Sequence, residues 1–401
     1  MRCSTFLSIL ISCALLWAPA APAAAETYQI LDVQEVVLPG LLVRTDWTVQ
    51  VGDEPVDQFQ MHRLRKEIPQ QARRGALLLV PPLSNPFAFY ETDERGAYDR
   101  SFAAFFAHEN WEVWGYSFRG FQLESGQCES GAVDCSPMAD WGLQAIVDDV
   151  LWIRSHMEQI LPGVEPVLGG YSMGAISTLA VLDREPTGWS GAALIEGSLF
   201  IEDPAIRALN AGFCAGLEAA LAAGQVFDGT TLPFVRLATE LAATAPDAPS
   251  PLPGFSGLTN HQVLVLLLAV PNPSPASPTP EFVRCVGSVA ADEFFFCRDE
   301  RIFAHTVLFY NYTDLASLRD ISCSIAGDRT FTDALDAFVE PVYLLTVEFG
   351  FGPFADDLAG LFTAAPVTRD DLPGFGHADH WFTGNHRQVL ESDLLRWLNG
   401  L

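Results

Sequence analysis

The residues most suggestive of chemistry are Gly170, Ser172 and Gly174, which form a Gly-x-Ser-x-Gly motif near the middle of the chain. An apolar run precedes the motif, and residues 175–182, which contain neither proline nor glycine, follow it. This order predicts a strand, a sharp turn and a helix. A serine on such a turn presents its Oγ, and the amide of the next residue, Met173, lies at a helix N-terminus where it can bind an oxyanion. The motif therefore predicts a nucleophilic serine.

The same motif resembles the nucleophile elbow of the α/β-hydrolases, because a strand precedes it and a helix follows it. The resemblance covers roughly residues 70–197 and 338–400. It implies an α/β fold with a mostly parallel central sheet flanked by helices. It also implies a catalytic triad whose members occur along the chain in the order serine, acid, histidine.

His377 is the predicted general base. A serine hydroxyl is a weak nucleophile at neutral pH and needs a base within hydrogen-bond reach. His377 lies near the C-terminus in a Gly-His-Ala-Asp sequence that ends at Asp379, and similar Gly-His-x-Asp sequences carry the catalytic histidine in many lipases and esterases. His380 and His386 are competing candidates. Asp379 is predicted to form structural hydrogen bonds rather than to serve as the triad acid.

The acid has two main candidates, between which the sequence does not decide. Asp356 follows the strand that ends near Phe349, and this is the commonest place for the acid in the family. Glu196 ends the apolar strand after the nucleophile helix, where certain relatives carry their acid. A carboxylate at the end of an apolar strand needs a partner, because burying it unpaired is costly. Asp357 is a third candidate.

A second oxyanion donor is expected after the buried strand Gly75–Val80. In α/β-hydrolases this strand leads to the second donor, often through a His-Gly pair. Pro81 and Pro82 stand in that place here, and proline has no N–H. The candidate amide is therefore that of Leu83, and a rigid proline turn without a catalytic role is the alternative.

The remaining elements are predicted from the spacing of apolar residues. Alternating apolar and polar residues predict an antiparallel start of the sheet, at Tyr28–Leu38, Leu42–Val51 and Phe59–Arg65. The continuous apolar run Gly75–Val80 then predicts a strand buried on both faces of a parallel sheet. Further strands of this sheet are predicted at Trp111–Ser117, Pro166–Leu168, Ser190–Ile195 and Pro341–Val347. Helical segments separate most of these runs, as right-handed crossovers require.

Residues 198–336 interrupt this strand-helix alternation. The hydrolase core is therefore assigned to residues 26–197 and 337–401, and the resemblance implies that the intervening segment is a cap over the active site. Four cysteines in it are expected to pair among themselves, namely Cys214, Cys285, Cys297 and Cys323. Its apolar run Val263–Val270 fits either a lipid-facing lid or a buried cap helix, and we favour the buried helix.

The N-terminal residues 1–25 have the pattern of a secretory signal peptide. Arg2 provides the positive charge, Phe6–Leu16 the apolar stretch and Ala23–Ala25 a small-residue cleavage site. The apolar stretch is too short to span a membrane. The predicted location is secreted or periplasmic, where disulfides persist, and Cys128 and Cys135 are expected to form one.

Composition restricts the partners. The formal net charge is −28, and Lys66 is the only lysine. Such a chain is unlike proteins that bind nucleic acid or anionic lipid, whose affinity comes from basic patches. The sequence has no P-loop, no Gly-x-Gly-x-x-Gly after a strand and no zinc-type ligand spacing, so neither a cofactor nor a metal is expected.

The sequence thus predicts an exported serine hydrolase of carboxylic esters, with a small-molecule or lipid-like substrate and an acyl-enzyme intermediate. Amide or peptide hydrolysis and acyl transfer could use the same triad. Dehalogenase chemistry is disfavoured, because those enzymes have aspartate where this chain has Ser172. A rival from another class is a secreted binding protein that keeps the fold without activity.

Overall fold

One central sheet of nine strands organises the molecule. The computed structural model describes residues 26–67, 73–92, 101–275, 277–384 and 387–401. The predicted signal peptide and His386 lie outside these described residues. No helix in the described part of the chain is both long and apolar enough to cross a membrane.

The sheet contains seven strands from the first half of the chain and two from its end. In chain order they are β1 (Tyr28–Leu38), β2 (Leu42–Val51), β3 (Gln58–Lys66), β4 (Gly75–Val80), β5 (Trp111–Ser117), β6 (Val167–Tyr171), β7 (Gly191–Ile195), β12 (Val342–Phe349) and β13 (Val367–Gly376). Four two-residue strands form two separate ladders, namely β8 (Phe227–Asp228), β9 (Gly287–Ser288), β10 (Glu293–Phe294) and β11 (Thr313–Asp314).

The spatial order is β1-β2-β3-β5-β4-β6-β7-β12-β13. Pairing is antiparallel from β1 to β5 and parallel from β5 to β13. The burial pattern follows the predicted change of periodicity: β2 alternates between buried and half-buried residues, whereas β6 and β7 are buried at every position. The predicted antiparallel start and parallel continuation are both confirmed.

Helices cover both faces of the sheet. They are α1 (Ala88–Glu91), α2 (Phe102–His108), α3 (Leu143–Ile160), α4 (Met173–Arg184), α5 (Pro204–Ala222), α6 (Thr231–Thr244), α7 (Asn260–Ala269), α8 (Asp299–Thr306), α9 (Leu315–Ala326), α10 (Ala355–Ala359), α11 (Asp379–Phe382) and α12 (Ser392–Leu398). Along β4, Leu78 and Val80 join a core with α3 and α4, while Leu77 and Leu79 join a second core with α2 and α12. Successive residues of a strand point to opposite faces, so one apolar run serves two cores.

Residues 198–336 contain α5–α9 and contribute no strand to the nine-stranded sheet. We refer to this segment as the insertion. Cys214 and Cys323 form a disulfide that joins α5 to α9. The other two disulfides are Cys285–Cys297, within the insertion, and Cys128–Cys135, in a loop of the core. The predicted pairing is confirmed.

The apolar run of the insertion forms a buried helix rather than an exposed lid. It coincides with α7, in which Val263, Leu264, Val265 and Leu268 are buried. Thr259 caps the helix, since its side chain accepts a hydrogen bond from the amide of Gln262. The favoured alternative is therefore confirmed.

Candidate active site

Ser172 lies on a strained turn between β6 and α4. Its φ of 58° and ψ of −118° are unusual for a residue with a side chain. The amide of Ser172 donates to the carbonyl of Ile195 at 2.9 Å, which ties the turn to the neighbouring strand. A Cβ on Gly174 would collide with the carbonyl oxygen of Val80, so only glycine permits this close approach of α4 and β4.

His377 is the first residue after β13 and meets Ser172 at the carboxyl edge of the sheet. Its Nε2 lies 2.9 Å from Ser172 Oγ, and its Nδ1 lies 2.8 Å from Glu196 Oε2. With Nδ1–H donating to the carboxylate, Nε2 is the nitrogen that can accept the serine proton. The three side chains therefore form a continuous Ser-His-Glu arrangement, although they lie far apart in the sequence.

Glu196 follows β7 and is fully buried. Its Oε1 accepts hydrogen bonds from the amides of Val347 at 2.8 Å and Phe351 at 3.1 Å. A Cβ on Gly350 would collide with Glu196 Oε2, so the loop after β12 needs glycine to close around the carboxylate. The end of β12 and the loop after it, where Asp356 is the predicted acid, thus supply two amides to Glu196.

The other two carboxylate candidates lie elsewhere. Asp356 is on α10, its side chain is 93% exposed, and it pairs with Arg369. Asp357 accepts a hydrogen bond from the amide of Glu202 at 2.7 Å. Of the alternatives left open by the sequence, the structure brings Glu196 to the imidazole and keeps Asp356 in solvent, because α10 turns that side chain outward.

The insertion helps to hold His377. The amide of His377 donates to the carbonyl of Val283 at 2.7 Å, and the Phe282 ring lies 4.6 Å from the imidazole, centroid to centroid. From the core, the Tyr171 ring stacks on the imidazole at 5.0 Å, and its hydroxyl donates to the His377 carbonyl at 3.0 Å. The imidazole is thus packed between an aromatic ring of the core and one of the insertion.

Asp379 and His380, which follow His377 closely in the sequence, make different contacts from it. Asp379 Oδ2 accepts hydrogen bonds from the amides of Gly376 at 2.6 Å and Val286 at 3.0 Å, as expected for a structural carboxylate. The His380 ring is buried edge-on against Tyr171, and within the described residues neither of its nitrogens has a hydrogen-bond partner. Only His377, of these residues, contacts Ser172.

The two amides that the sequence predicts as oxyanion donors belong to Met173 and Leu83. Met173 is the first residue of α4, where N–H groups have no acceptor within the helix. Leu83 lies in the turn that follows β4 and Pro81–Pro82. Both residues line one cavity of about 20 Å³, which is room for roughly one water molecule. The structure thus brings together the two residues that the sequence predicted as oxyanion donors.

Two groups of acidic and cysteine side chains have the spacing of metal ligands within the described residues. They are Cys214, Glu218 and Cys323, and Cys285, Cys297 and Asp379. Each group contains both sulfurs of a disulfide, and disulfide sulfur is not the thiolate that binds metal. Neither group is a candidate metal centre.

Solved structures share the architecture of this chain. A protein from Sulfolobus solfataricus, assigned provisionally as a lipase, superposes with a TM-score of 0.60 over 92% of this chain and 99% of its own, at 18% sequence identity. The chain has the α/β-hydrolase fold. A thermostable carboxyl esterase from Bacillus coagulans, solved in complex with glycerol, matches at a TM-score of 0.50 and 12% identity, over 92% of this chain and 99% of its own. No family model and no curated protein matches the sequence.

Burial sets the protonation behaviour of the site in this α/β-hydrolase fold. It lowers the pKa of His377, and the positive charge of Arg284 acts in the same direction. Burial raises the pKa of Glu196, while the amides of Val347 and Phe351 oppose that rise. A low imidazole pKa keeps His377 neutral, and therefore able to accept a proton, well into the acidic range.

Several residues around the triad had no signal in the sequence. The amides of Val347 and Phe351 that hold Glu196 belong to an apolar strand and its loop, and backbone groups carry no sequence signature. Phe282 reaches the imidazole from a segment with no regular strand-helix pattern. Gly350 offered the only local signal, since a glycine after a buried strand marks a close approach.

Proposed function

We propose that this protein is a serine hydrolase of carboxylic esters that works through an acyl-enzyme. The observation that carries the proposal is the contact of Ser172 with His377 at a strained strand-helix turn. A serine in this position has its Oγ beside a base and its following amide at a helix N-terminus. These are the groups that acyl transfer requires.

The triad residues have distinct roles in the proposed reaction. Ser172 Oγ attacks the ester carbonyl carbon while its proton passes to His377 Nε2, and Glu196 stabilises the imidazolium through Nδ1–H. His377 then gives this proton to the oxygen of the leaving alcohol as the C–O bond breaks. His377 next removes a proton from water, whose oxygen attacks the acyl-enzyme, and the proton returns to Ser172 as the carboxylic acid leaves.

The amides of Met173 and Leu83 are the proposed oxyanion donors. The carbonyl oxygen becomes negatively charged in the tetrahedral intermediate, and fixed N–H donors stabilise that charge without reorganisation. Loss of one such donor costs roughly 3 to 4 kcal/mol of barrier. Leu83 and Met173 both line one small cavity, which supports this role.

Ester substrates are favoured by the solved structures that share this fold. Ser172 has the nucleophile position of a fold whose solved representatives above are described as a lipase and a carboxyl esterase. We propose a small-molecule or lipid-like ester as the substrate.

The test is hydrolysis of a series of p-nitrophenyl esters by the wild type and by Ser172→Ala. We expect activity in the wild type and none above background in the variant. A fluorophosphonate probe should label only the wild type. Folded wild type that neither hydrolyses esters nor reacts with the probe would favour the inactive binding protein.

The alternative enzymatic activities need separate substrates. Anilides and peptides test amide hydrolysis, and an added alcohol acceptor tests acyl transfer through the proportion of new ester formed. We expect esters to react faster than the matching anilides. A reversed preference would replace the esterase proposal with an amidase that uses the same triad.

We also propose that the protein is exported and that residues 1–25 are removed, which gives a secreted or periplasmic protein. The three disulfides support this location, because disulfides persist in oxidising compartments. Mass spectrometry of protein from the periplasm and culture medium should find an N-terminus near Glu26. An intact N-terminus on cytosolic protein with free thiols would contradict the proposal.

A further inference from the structure

We propose that Ser84 and Thr313 are positioning residues, through which the insertion fixes the direction of the Leu83 amide. The inference rests on the proposed hydrolase function and adds a role for the insertion in stabilising the transition state. It concerns the turn Pro82–Asn85, which follows β4 and is called the oxyanion turn below.

The oxyanion turn fixes the peptide that carries the proposed donor. The amide of Asn85 donates to the carbonyl of Pro82 at 3.1 Å, which makes Leu83 and Ser84 the central residues of a β-turn. In a trans peptide the C=O and the following N–H point in opposite directions. Because the Pro82 carbonyl points into the turn, the N–H of Leu83 points away from it.

This turn is strained at its second central residue. Ser84 has a φ of 53°, and a β-turn with positive φ at this position normally contains glycine or asparagine. Such a backbone persists only where neighbouring contacts over-determine it. Ser84 is almost completely buried, so those contacts must come from the protein.

The insertion supplies two of them. The amide of Tyr310 donates to the carbonyl of Ser84 at 2.8 Å, and the hydroxyls of Ser84 and Thr313 lie 2.8 Å apart. Within the turn, Asn85 Nδ2 donates to the carbonyl of Leu83 at 2.9 Å. All three carbonyls from Pro82 to Ser84 thus have a donor, and the last is held from the insertion.

The hydroxyl contact is the part of this arrangement that a substitution can remove. Without Thr313 Oγ1, Ser84 loses a buried partner, and its strained backbone can relax. Relaxation rotates the neighbouring peptide and turns the Leu83 N–H away from the developing oxyanion. The amide acts mainly in the transition state, so kcat should fall while KM changes little.

The experiment compares kcat and KM of four single variants, and of the double variant Thr313→Val/Ser84→Ala, in p-nitrophenyl ester hydrolysis. Thr313→Val removes the hydroxyl with little change of shape, Ser84→Ala removes its partner, and Thr313→Ser keeps the hydroxyl. Thr239→Val is the matched control, because Thr239 is a buried threonine of the insertion whose hydroxyl bonds within α6. All assays run well below the melting temperature measured for each variant.

We expect kcat to fall about 10-fold in Thr313→Val and Ser84→Ala, a fraction of the 10²- to 10³-fold cost of losing a whole donor. KM should stay within about two-fold, Thr313→Ser should restore kcat, and Thr239→Val should match the wild type. The double variant should be no slower than either single one, since both remove one hydrogen bond.

Unchanged kcat in Thr313→Val or Ser84→Ala, or additive losses in the double variant, would overturn the inference and leave the hydrolase proposal intact. If Thr313→Val does not fold, Ser84→Ala decides alone by the same criterion. A wild type without Ser172-dependent hydrolysis refutes the hydrolase proposal instead, so the two failures are distinguishable.

Discussion

The core contains a second Ser-His-carboxylate arrangement, and its comparison with the candidate active site is instructive. His62 Nε2 lies 2.7 Å from Ser117 Oγ, and His62 Nδ1 lies 2.6 Å from Asp46 Oδ1. The corresponding distances at the candidate site are 2.9 and 2.8 Å. Hydrogen-bond geometry alone therefore does not distinguish the two.

Their surroundings do distinguish them. Ser117 ends β5, is fully buried, and accepts a hydrogen bond from the amide of Phe87 at 2.8 Å. The Phe87 ring also stacks on His62 at 5.1 Å. Ser172, by contrast, is only partly buried and is followed by a helix N-terminus. A hydroxyl that is closed in by an amide and an aromatic ring has no room for a carbonyl carbon.

Access for substrate and a nearby oxyanion donor, in addition to three aligned side chains, are what a nucleophilic serine requires. The Ser117 arrangement satisfies buried polar groups and stabilises the fold. The Ser172 arrangement uses similar bonds at the carboxyl edge of the sheet, where the backbone is strained and loops meet. Each prediction below separates the two arrangements by activity or by stability.

The largest difference is expected between the serines. Ser172→Ala should lower kcat by about 10⁶-fold, because no nucleophile remains. Ser117→Ala should change kcat by less than about 10-fold but lower the free energy of unfolding by about 1–3 kcal/mol, since the Phe87 amide loses its acceptor. Ester assays and urea unfolding measure both. An inactive but stable Ser117→Ala would invert the assignment.

The second largest difference in kcat is expected between substitutions of the carboxylates Glu196 and Asp46. Glu196→Gln should lower kcat on the order of 10⁴-fold, because the imidazolium loses its negative partner. Asp46→Asn should leave kcat within about 10-fold of the wild type, because Asp46 pairs with His62 rather than with His377. Asp356→Asn is the control for the alternative acid, and its exposed position predicts wild-type kinetics. A greater loss in Asp356→Asn than in Glu196→Gln would return the role to Asp356.

Substitutions of His62 and His377 should differ in their effects on stability and on activity. His62→Leu should lower the free energy of unfolding by about 2 kcal/mol, because Ser117 and Asp46 lose a buried partner. It should remain an active esterase below its melting temperature, whereas His377→Leu should be folded and inactive. Circular dichroism melting and ester assays give the two readouts. A folded His62→Leu with kcat/KM reduced more than about 10²-fold would give the second arrangement a part in the chemistry.

The smallest expected effect is in the pH profile. Burial lowers the pKa of both His62 and His377, but only His377 accepts a proton during the proposed reaction. Activity requires neutral His377 and is lost as pH falls through its pKa. The acid limb of kcat/KM should therefore lie below the ordinary histidine value of about 6.5. His62→Leu should leave the limb in place, and a limb that moved in this variant would contradict its assignment to the candidate site. A limb at or above pH 7 would report protonation of Glu196 instead, because burial raises the pKa of that carboxyl.

Much of the architecture follows from local sequence patterns. The antiparallel start, the buried parallel strands and the helix after Ser172 follow from apolar periodicity, because strands and helices repeat their burial every two and 3.6 residues. The interior of the insertion follows less well. Apart from the run that forms α7, its helices were not individually predicted, since prolines and short ladders hide the periodicity.

The candidate site likewise contains some residues that the sequence marks and others that it does not. Ser172 and His377 are marked by glycines at fixed spacing, because a tight turn limits which residues can flank it. Glu196 and Asp356 carry no such marker, and both follow strands of the sheet. Their distinction depends on the loop after β12, which folds over Glu196, whereas Asp356 is exposed on α10.

Local sequence patterns predicted β1 to β7 and β12, the elbow around Ser172 and the meeting of Ser172 with His377. The tertiary structure alone decided which carboxylate reaches the imidazole, and that Ser117 and His62 are closed off from substrate. The physical reason is that periodicity and turn chemistry act over a few residues. Contact between β7, β12 and β13, or between the insertion and the oxyanion turn, depends on how distant segments pack.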